Sequence, residues 1–555
     1  MSKLEEIVTK HVVINILKYG KPSEKSILGK IIAEVPEAKQ KITEVIRLIK
    51  EKINEIEKLD KQDWERLVLV YTKDLKKEKR KKEYLLPPLE GAKQGNVIMR
   101  FAPNPNGPPT LGSARGIIIN HEYTKMYNGK FILRFDDTDP RTKKPMLEAY
   151  DWYIEDCEWL GAKPHEVYYA SKRIPIYYEF IKKLIKMGKA YPCFCTKDEF
   201  KKYKIAGKNC PHRNTNIDDG IEIWEKMLEG KYNEGEVVIR IKTDMKHKDP
   251  AIRDWVAFRI IYEEHPLVGD KYHVYPTLDF ESAIEDHLLG ITHIIRGKDL
   301  ADSEKRQKYI YDYFGWDYPV TKHWGKLNVY EFGKLSTSSI KRAIENGVYS
   351  DWDDPKLPTI RALRRRGFKP EAIRNLILSL GVDETDVSIS LKNLYAENKK
   401  LVERDANRYF FVWNPIKIKI KNVERRKVKI PLNPHKGGFR TLVGDKEIMI
   451  TKDDFEKLKG ETVRLKDFCT IKLDVKSELI SYELVDAKKG QNIIHWLSLE
   501  DSLKCLVLGF EKDYSGYVEK GVKEEIGNVV QFERFGFCKI ESIKNDKIVA
   551  IFTHP

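Results

Sequence analysis

The stretch from residue 99 to residue 139 carries the pattern most suited to chemistry in this chain. A short apolar run leads into a proline-rich loop, Pro103 to Pro109, and an apolar helix pattern begins near Leu111. The stiff loop leaves backbone amides free, and a helix N-terminus adds unpaired N–H donors and a favourable dipole. A second predicted strand then ends in carboxylates, Asp136 among them. A strand, loop, helix and second strand in this order can bind a triphosphate and an ammonium group side by side. Any strand–loop–helix corner, however, has the same order of elements.

A second loop, more than two hundred residues downstream, combines one lysine with several hydroxyl groups. Residues 333–339 read Gly-Lys-Leu-Ser-Thr-Ser-Ser. A flexible cationic loop of this composition suits a pyrophosphate group on which negative charge develops. A loop rich in serine and threonine is by itself no more than a loop, so its interest comes from its combination with the first one.

Three cysteines and one histidine form two short pairs. Cys193 and Cys195 are one residue apart, and Cys210 and His212 repeat this spacing after fourteen intervening residues. Paired thiol and imidazole groups at such spacings are typical of a structural, tetrahedral zinc site. The alternative is that the three cysteines are reduced and that the four side chains bind no metal. The odd total of seven cysteines also favours reduced thiols over a disulfide framework.

The elements that position these residues divide the chain into four regions. Residues 1–92 have helical spacing of Ile and Leu and predict a helical N-terminal extension. Residues 93–350 alternate strands and helices as in an α/β domain with a parallel sheet, and residues 190–275 look like an insertion within it. Residues 351–408 are helical again. Residues 409–555 contain short alternating strands and predict an all-β region of barrels.

The charge of the chain favours a polyanionic partner. Its 555 residues include 101 Lys and Arg against 85 Asp and Glu, a formal net charge of +16. Such an excess promotes association with phosphate backbones, although Lys- and Glu-rich surfaces also occur in thermostable proteins. No stretch approaches the roughly 20 apolar residues of a membrane span, and the first residues do not read as a secretory signal. A cytoplasmic protein without membrane contact is therefore expected.

Six longer segments of this sequence resemble parts of one protein family. They are Arg100-Phe-Ala-Pro-Asn-Pro, Leu133-Arg-Phe-Asp-Asp-Thr-Asp139, Tyr275-Pro-Thr, Gly290-Ile-Thr-His-Ile-Ile-Arg-Gly297, the basic string from Trp352 to Gly367, and Val530-Gln-Phe-Glu-Arg-Phe-Gly-Phe537. With the two loops they resemble the class I aminoacyl-tRNA synthetases, in particular the glutamyl and glutaminyl branch of archaeal type. The resemblance covers nearly everything after residue 95. It implies a Rossmann-type catalytic domain with an acceptor-binding insertion, a helical region along the tRNA stem and anticodon-binding barrels.

The resemblance also implies a reaction and the residues that carry it. Such enzymes use ATP with Mg²⁺ to form an aminoacyl-adenylate and then transfer the amino acid to the 3′-terminal ribose of tRNA. The implied catalytic residues are Thr110, Gly112, Ser113 and Lys334. The implied ATP-binding residues are Pro103, Asn104, Pro105, Gly107, Thr110, Leu111, Gly112, Ser113, Lys334, Leu335, Ser336, Thr337 and Ser338.

Both loops depart from the family's signatures. The first signature is His-Ile-Gly-His, and Thr110 and Ser113 stand at its two histidine positions. The second is Lys-Met-Ser-Lys-Ser, and Thr337 stands at its second lysine. Neutral hydrogen bonds from hydroxyl groups have about half the strength of charge-assisted ones. These departures bear on the rate more than on the type of reaction.

The amino-acid substrate implied by the resemblance is L-glutamate. Arg100, Asn104 and Asp136 occupy substrate positions, and Asp136 receives the α-ammonium group. Arg296 stands where glutamyl enzymes carry an arginine and glutaminyl enzymes do not, and a carboxylate suits a bidentate guanidinium; the alternative is a surface ion pair. Leu278 replaces a tyrosine that contacts the substrate, which removes a hydrogen bond worth about 0.5–1.5 kcal/mol.

The implied macromolecular partner is tRNA(Glu), and charging of tRNA(Gln) stays open. Arg361, Arg364, Arg365 and Arg366 are predicted phosphate contacts, the alternative being a solvated helix face. The N-terminal helices are a candidate docking site for a protein partner. Two other functions also stay open. One is a glutaminyl-tRNA ligase, and the other is a non-catalytic tRNA-binding paralogue, which the missing histidines favour.

Overall fold

The structure is a computed structural model, and it describes residues 3–19, 22–60, 63–64, 67–68, 71, 86–333, 336–473, 481–482 and 492–555. The chain divides into two compact units, residues 1–85 and residues 86–555. Within the described ranges, every helix is too short or too polar to cross a membrane.

The first unit is helical, as predicted. Its helices are Lys3–Tyr19, Glu24–Glu34 and Ile42–Glu57, with a 3₁₀ segment at Pro36–Lys41. In the third helix, Val45, Ile49 and Ile56 are buried at the spacing that places them on one face. Their partners in the core come from the first two helices and include Val8, Val12, Val13, Ile27 and Ile31.

The second unit is organised around parallel strands. They form two groups, Ile98–Phe101 with Lys130–Phe135 and Glu166–Tyr169, and His293–Gly297 with Val320–Trp324. Thr292 joins the groups, because its N–H donates to the Ile98 carbonyl at 3.0 Å and its Oγ1 accepts from the Ile98 N–H at 3.0 Å. Parallel strands present their carboxyl ends at one edge, which is where α/β sheets of this kind bind ligands.

Helices connect and cover these strands. Those of the parallel region are Leu111–Met126, Leu147–Trp159, Ile174–Lys186, Leu278–Leu288, Ala301–Phe314 and Thr337–Glu345. Three more follow at Ile360–Arg365, Pro370–Leu380 and Leu391–Val402. A short parallel pair, Leu327–Val329 with Val387–Ile389, ties the last of these helices to the sheet region.

An antiparallel sheet interrupts the parallel arrangement. Its strands are Ala190–Cys193, Val238–Ile241, Val256–Ile260 and Val274–Pro276, and the helices Lys197–Ala206 and Ile217–Leu228 lie between the first two. It packs on neighbouring helices through an apolar core that includes Trp224, Ile239 and Phe258. The change of strand direction marks the segment that the sequence analysis set apart as an insertion.

The C-terminal region is built from strands, as predicted. Its larger sheet has the order Arg408–Tyr409, Val529–Phe532, Gly536–Lys544, Lys547–His554, Ser502–Leu508, Tyr514–Glu519 and Phe411–Trp413. Only Phe410 separates the first member from the last along the chain, so the sheet closes on itself as a barrel. A second apolar core gathers residues of the elements Pro415–Ile420, Arg426–Asn433, Gly437–Gly444, Glu447–Thr451, Lys452–Lys457, Thr462–Leu465, Cys469–Lys472 and Asn492–Ile494. The short strand Ser481–Tyr482 pairs in parallel with Pro415–Ile420.

Candidate active site

The proline-rich loop is fixed at its C-terminal end, where the helix Leu111–Met126 begins. Two backbone hydrogen bonds of 2.9 Å join Pro109 and the first helical residue to residues 358–360. Thr110 caps the helix, because its Oγ1 accepts from the Ser113 N–H at 3.3 Å. The free amides at this N-terminus are therefore held in place, which is the condition for binding a phosphate without reorganisation.

The hydroxyl groups of Thr110 and Ser113 combine two roles. Their oxygen atoms are 3.3 Å apart, and Thr110 Oγ1 uses a lone pair for the cap. Capping does not consume a hydroxyl proton, so the pair keeps a donor for a further acceptor. Gly112, between them, is exposed. Neutral donors thus occupy the place at which the resemblance expects two histidines.

The structure brings the first loop against the C-terminal part of the second, where a helix begins. A Cβ atom added to Gly107 would lie 2.5 Å from Cγ2 of Thr337 and 2.9 Å from the ring of Trp352. Backbone at this point of the proline-rich loop therefore packs directly on residues more than two hundred positions away. Glycine is required there for close approach.

The second loop ends in a capped helix. Ser336 Oγ accepts from the Ser339 N–H at 3.1 Å at the N-terminus of Thr337–Glu345, and Ser338 is exposed in its first turn. Lys334 and Leu335 lie outside the described residues, and their roles stay predictions. The described part of the loop offers a second helix N-terminus beside the first loop.

A buried ion-pair network joins the first two strands to the helix Leu278–Leu288. Asp286 accepts from Arg100 at 2.9 and 3.1 Å and from Arg134 Nη1 at 2.6 Å. Arg134 Nε donates to Asp136 at 2.7 Å. Burial by itself would raise the pKa of Asp286, but the two guanidinium groups outweigh burial and lower that pKa to about 2.

Asp136 is oriented by its neighbours as well as by its ion pair. Asn104 Nδ2 donates to the Asp136 carbonyl oxygen at 3.1 Å. Glu281 is fully buried and accepts from Thr138 Oγ1 at 2.8 Å. Burial, reinforced by the charge of Asp136, raises the pKa of Glu281 well above its ordinary value. Burial beside Asp136 therefore favours the neutral form of Glu281.

Arg296 differs from the other two arginines of the site. It is 5% exposed, and its donors Nη1 and Nη2 reach only the neutral oxygens of Gln307, at 3.2 Å, and Tyr318, at 2.8 Å. Its Nε is buried without a partner. Among the residues that the structure describes, no carboxylate pairs with it, so the alternative of a surface ion pair is wrong. A buried charge without a counter-ion costs several kcal/mol, and a site that keeps one is suited to an anionic ligand.

The helix Leu278–Leu288 holds residues of the candidate site that the sequence analysis missed. All residues from Asp279 to Asp286 are buried, and Ser282 Oγ accepts from Arg134 at 2.8 Å. Several carboxylates in a buried helix need partners, and that pattern in the sequence could have indicated them.

Leu278 itself is 39% exposed at the helix N-terminus. The hydroxyl group of Tyr275, which could replace the lost tyrosine contact, is buried with no described hydrogen-bond partner.

The two cysteine-containing pairs meet in space. The ligand atoms of Cys193, Cys195, Cys210 and His212 all lie within 4.8 Å of one another. The sulfur atoms of Cys193 and Cys210 are 4.0 Å apart, and Cys195 Sγ is 3.4 Å from His212 Nδ1. Bonds of about 2.3 Å to sulfur and about 2.0 Å to nitrogen fit a tetrahedron of this size. The donor set therefore suits a structural zinc ion.

One of the four arginines predicted to contact tRNA is wrongly assigned. Arg366 is fully buried and donates to the Thr553 carbonyl at 2.8 Å and to Tyr395 Oη at 3.2 Å. Its guanidinium also packs against the ring of Phe368, 5.1 Å from the centroid. A phosphate cannot reach it, so Arg366 links the helical region to the last strand instead.

The other three arginines remain near the surface. Arg361 pairs with Glu155 at 2.8 Å, and Arg365 pairs with Glu541 at 2.6 Å. Arg364 is exposed and lies over a tryptophan ring, with no described ion pair. It is the member of the group whose charge is most available to a phosphate.

Models of known families match almost the whole of the second unit. Residues 96–404 match the catalytic domain of class I tRNA synthetases (E and Q). Residues 406–485 and residues 493–541 match anti-codon binding domains of the same class.

Full-length relatives are also found. The chain is 63% identical over 553 residues to a glutamate–tRNA ligase of Archaeoglobus fulgidus, with 100% of both chains covered. It is 51% identical over 565 residues to a glutamate–tRNA ligase of Methanosarcina barkeri, covering 99% of this chain and 98% of that one. A solved structure of a glutamate tRNA ligase from Elizabethkingia meningosepticum is 23% identical, with a TM-score of 0.42, and the match covers 56% of this chain and 70% of that chain.

Proposed function

Because the chain belongs to the class I tRNA synthetases of the glutamyl and glutaminyl (E and Q) family, we propose that it ligates L-glutamate to tRNA(Glu) with ATP. An oxygen of the α-carboxylate of glutamate attacks the α-phosphorus of ATP, and the bond from this phosphorus to the oxygen that bridges to the β-phosphorus breaks, so pyrophosphate leaves. A hydroxyl of the 3′-terminal ribose then attacks the carbonyl carbon of the adenylate, and AMP leaves. Mg²⁺ bound with ATP neutralises part of the triphosphate charge.

The unpaired charge of Arg296 is the observation that carries glutamate as the substrate. A glutamate side chain supplies the missing counter-ion, whereas the amide of glutamine leaves the buried charge uncompensated. This favours the glutamyl over the glutaminyl reaction. The names of the full-length relatives support the same choice.

The remaining site residues act through position and charge. Asp136, oriented by Arg134, accepts the α-ammonium group of the amino acid. The Thr110–Ser113 pair donates to the phosphates beside the helix N-terminus. Lys334, which lies outside the described residues, is proposed to stabilise the pyrophosphate. The reaction requires no protein nucleophile, because positioning and charge stabilisation supply the rate.

The tRNA contacts form a further part of the proposal. The C-terminal barrels bind the anticodon, which the matches to anti-codon binding domains support. Arg364 contacts a backbone phosphate of the tRNA, which its exposure supports. Use of tRNA(Gln) as a second substrate and docking of a protein on the N-terminal helices are separate proposals, each testable with the purified partner.

Charging of purified tRNA(Glu) and tRNA(Gln) with either amino acid tests the function. We expect attachment of glutamate to tRNA(Glu), together with glutamate-dependent ATP–pyrophosphate exchange that requires tRNA. Efficient attachment of glutamine would support the glutaminyl enzyme instead. Tight tRNA binding without exchange or charging would support the non-catalytic paralogue.

The double role of Thr110 predicts different outcomes for two substitutions. Thr110→Val removes the helix cap and a phosphate donor, so we expect the free energy of unfolding to fall by about 1 kcal/mol and the exchange rate to fall about tenfold. Ser113→Ala keeps the cap and serves as the matched control. It should lower the exchange rate by a similar factor with little change in urea unfolding. Equal stability losses in both variants would contradict the assignment of the cap.

A structural zinc ion at Cys193, Cys195, Cys210 and His212 predicts a measurable stability effect. We expect stoichiometric zinc in the purified protein, and removal by a chelator should lower the melting temperature. Cys210→Ser should lose the metal, whereas Cys469→Ser, outside the cluster, should retain it. A protein that contains no zinc as purified, and melts identically with and without a chelator, would refute the site.

A further inference from the structure

We infer that Gln307 and Tyr318 are positioning residues that hold Arg296 with neutral groups only, and that they thereby set the preference for a carboxylate over an amide side chain. The inference rests on the proposed function, which places the side chain of the amino acid at Arg296. Neither residue stood out in the sequence, because a glutamine in a helix and a tyrosine in a loop carry no pattern of their own.

The three side chains form a closed triangle of hydrogen bonds. Arg296 donates to Gln307 Oε1 at 3.2 Å and to Tyr318 Oη at 2.8 Å. The third side is the Tyr318 hydroxyl group, which donates to Gln307 Oε1 at 2.7 Å. Because the hydroxyl proton is committed to the glutamine, the lone pairs of Tyr318 face the guanidinium. Burial raises the pKa of Tyr318 to about 12, so this proton stays in place at neutral pH.

The triangle joins separate elements of the fold. Arg296 lies on the strand His293–Gly297, Gln307 on the helix Ala301–Phe314, and Tyr318 just before the strand Val320–Trp324. Gln307 is 1% exposed, and the ring of Tyr318 packs edge-on against Tyr311 at 4.8 Å. Side chains fixed by packing hold the guanidinium in one orientation, which is what a specificity-determining group needs.

Both side chains that hold Arg296 are uncharged, and this feature bears on the preference for a carboxylate. Arg100 and Arg134 are both held by carboxylates, so their charge is already compensated. Arg296 could have been oriented equally well by a carboxylate at position 307, which has the same shape as glutamine. A carboxylate at position 307 would compensate the charge of Arg296, and an anionic ligand would then no longer be favoured. A neutral holder instead fixes the orientation and leaves the charge for the substrate.

Gln307→Glu tests this directly, because it keeps the shape and adds the missing counter-ion. We expect the KM for glutamate to rise by about tenfold or more, from the loss of a charge-assisted contact, while the KM for ATP stays unchanged. The ratio of kcat/KM for glutamate to that for glutamine should fall by a similar factor. Gln40→Glu, which adds the same charge at an exposed position of the N-terminal unit, is the control and should leave both KM values and the ratio unchanged.

Tyr318→Phe provides a second and independent variant. It removes one acceptor from Arg296 and the donor to Gln307, so the KM for glutamate should rise about three- to tenfold, again without a change in the KM for ATP. A triangle with only a structural role would change the melting temperature but not the preference for glutamate over glutamine. Unchanged preference in Gln307→Glu, or in Tyr318→Phe if the first variant does not fold, overturns the inference. Failure of the parent enzyme to charge glutamate overturns the proposed function instead.

Discussion

Arg296→Gln should lower kcat/KM for glutamate by about a hundredfold or more without destabilising the protein. The substitution removes a charge-assisted contact to the substrate carboxylate, for which hydrogen bonds to charged groups contribute about 1.5–3 kcal/mol each. It also removes a buried charge that has no counter-ion among the described residues. Loss of such a charge relieves a desolvation cost, so the free energy of unfolding should stay constant or rise.

Steady-state charging with glutamate and urea unfolding together check this prediction. Arg47→Gln makes the same chemical change on the N-terminal helices, where the side chain is 73% exposed, and should leave both measurements unaltered. A marked loss of stability in Arg296→Gln would mean that the arginine has a structural role. Unaltered kinetics would mean that glutamate is recognised elsewhere.

Local patterns in the sequence were sufficient for the parts of the site that lie close together in the chain. The start of the helix at Leu111 follows from the proline-rich loop before it, and the structure agrees. Only fourteen residues separate the two cysteine-containing pairs, and the short spacing within each pair is typical of a metal site whose ligand atoms meet, as they do in the structure. In both cases the information lies within about twenty residues.

Contacts between distant segments could not be predicted in this way. The run of arginines that ends at Arg366 indicates positive charge but does not show which side chains are exposed. Arg366 is buried and donates to the carbonyl oxygen of Thr553 in the last strand. Asp286 is likewise separated from Arg100 by 186 residues along the chain. Which carboxylate meets which guanidinium depends on how the helix Leu278–Leu288 packs, and no single-sequence pattern specifies that packing.

The family resemblance supplied what local patterns could not, but only at the positions that carry the family's motifs. It drew attention to Arg296, whereas Gln307 and Tyr318 emerged only from the geometry around that residue. Gln307 and Tyr318, which hold the guanidinium group of Arg296, lie outside the family's motifs. They become visible once side-chain partners are known.

The second large effect concerns Asp286, which compensates two buried arginines at once. Asp286→Asn keeps the size of the side chain but leaves Arg100 and Arg134 with much less negative charge. Breaking a buried ion pair by removing one partner costs about 3–5 kcal/mol, because the remaining charge stays buried. We therefore expect the free energy of unfolding at pH 7 to fall by about that amount, together with loss of amino-acid activation.

The pH dependence gives this prediction a definite sign. The pKa of Asp286 is lowered from 3.8 to about 2 in the folded protein, so its ionised form contributes stability that is complete above about pH 4 and is lost as the pH falls through about 2. The stability difference between the parent and Asp286→Asn should therefore be constant near neutrality and shrink over this acid range. Asp546→Asn, at a side chain that is 89% exposed, is the control and should match the parent throughout. A difference that persists undiminished at pH 2 would show that the carboxylate charge is not what holds the two arginines, because only the ionised form can pair with both.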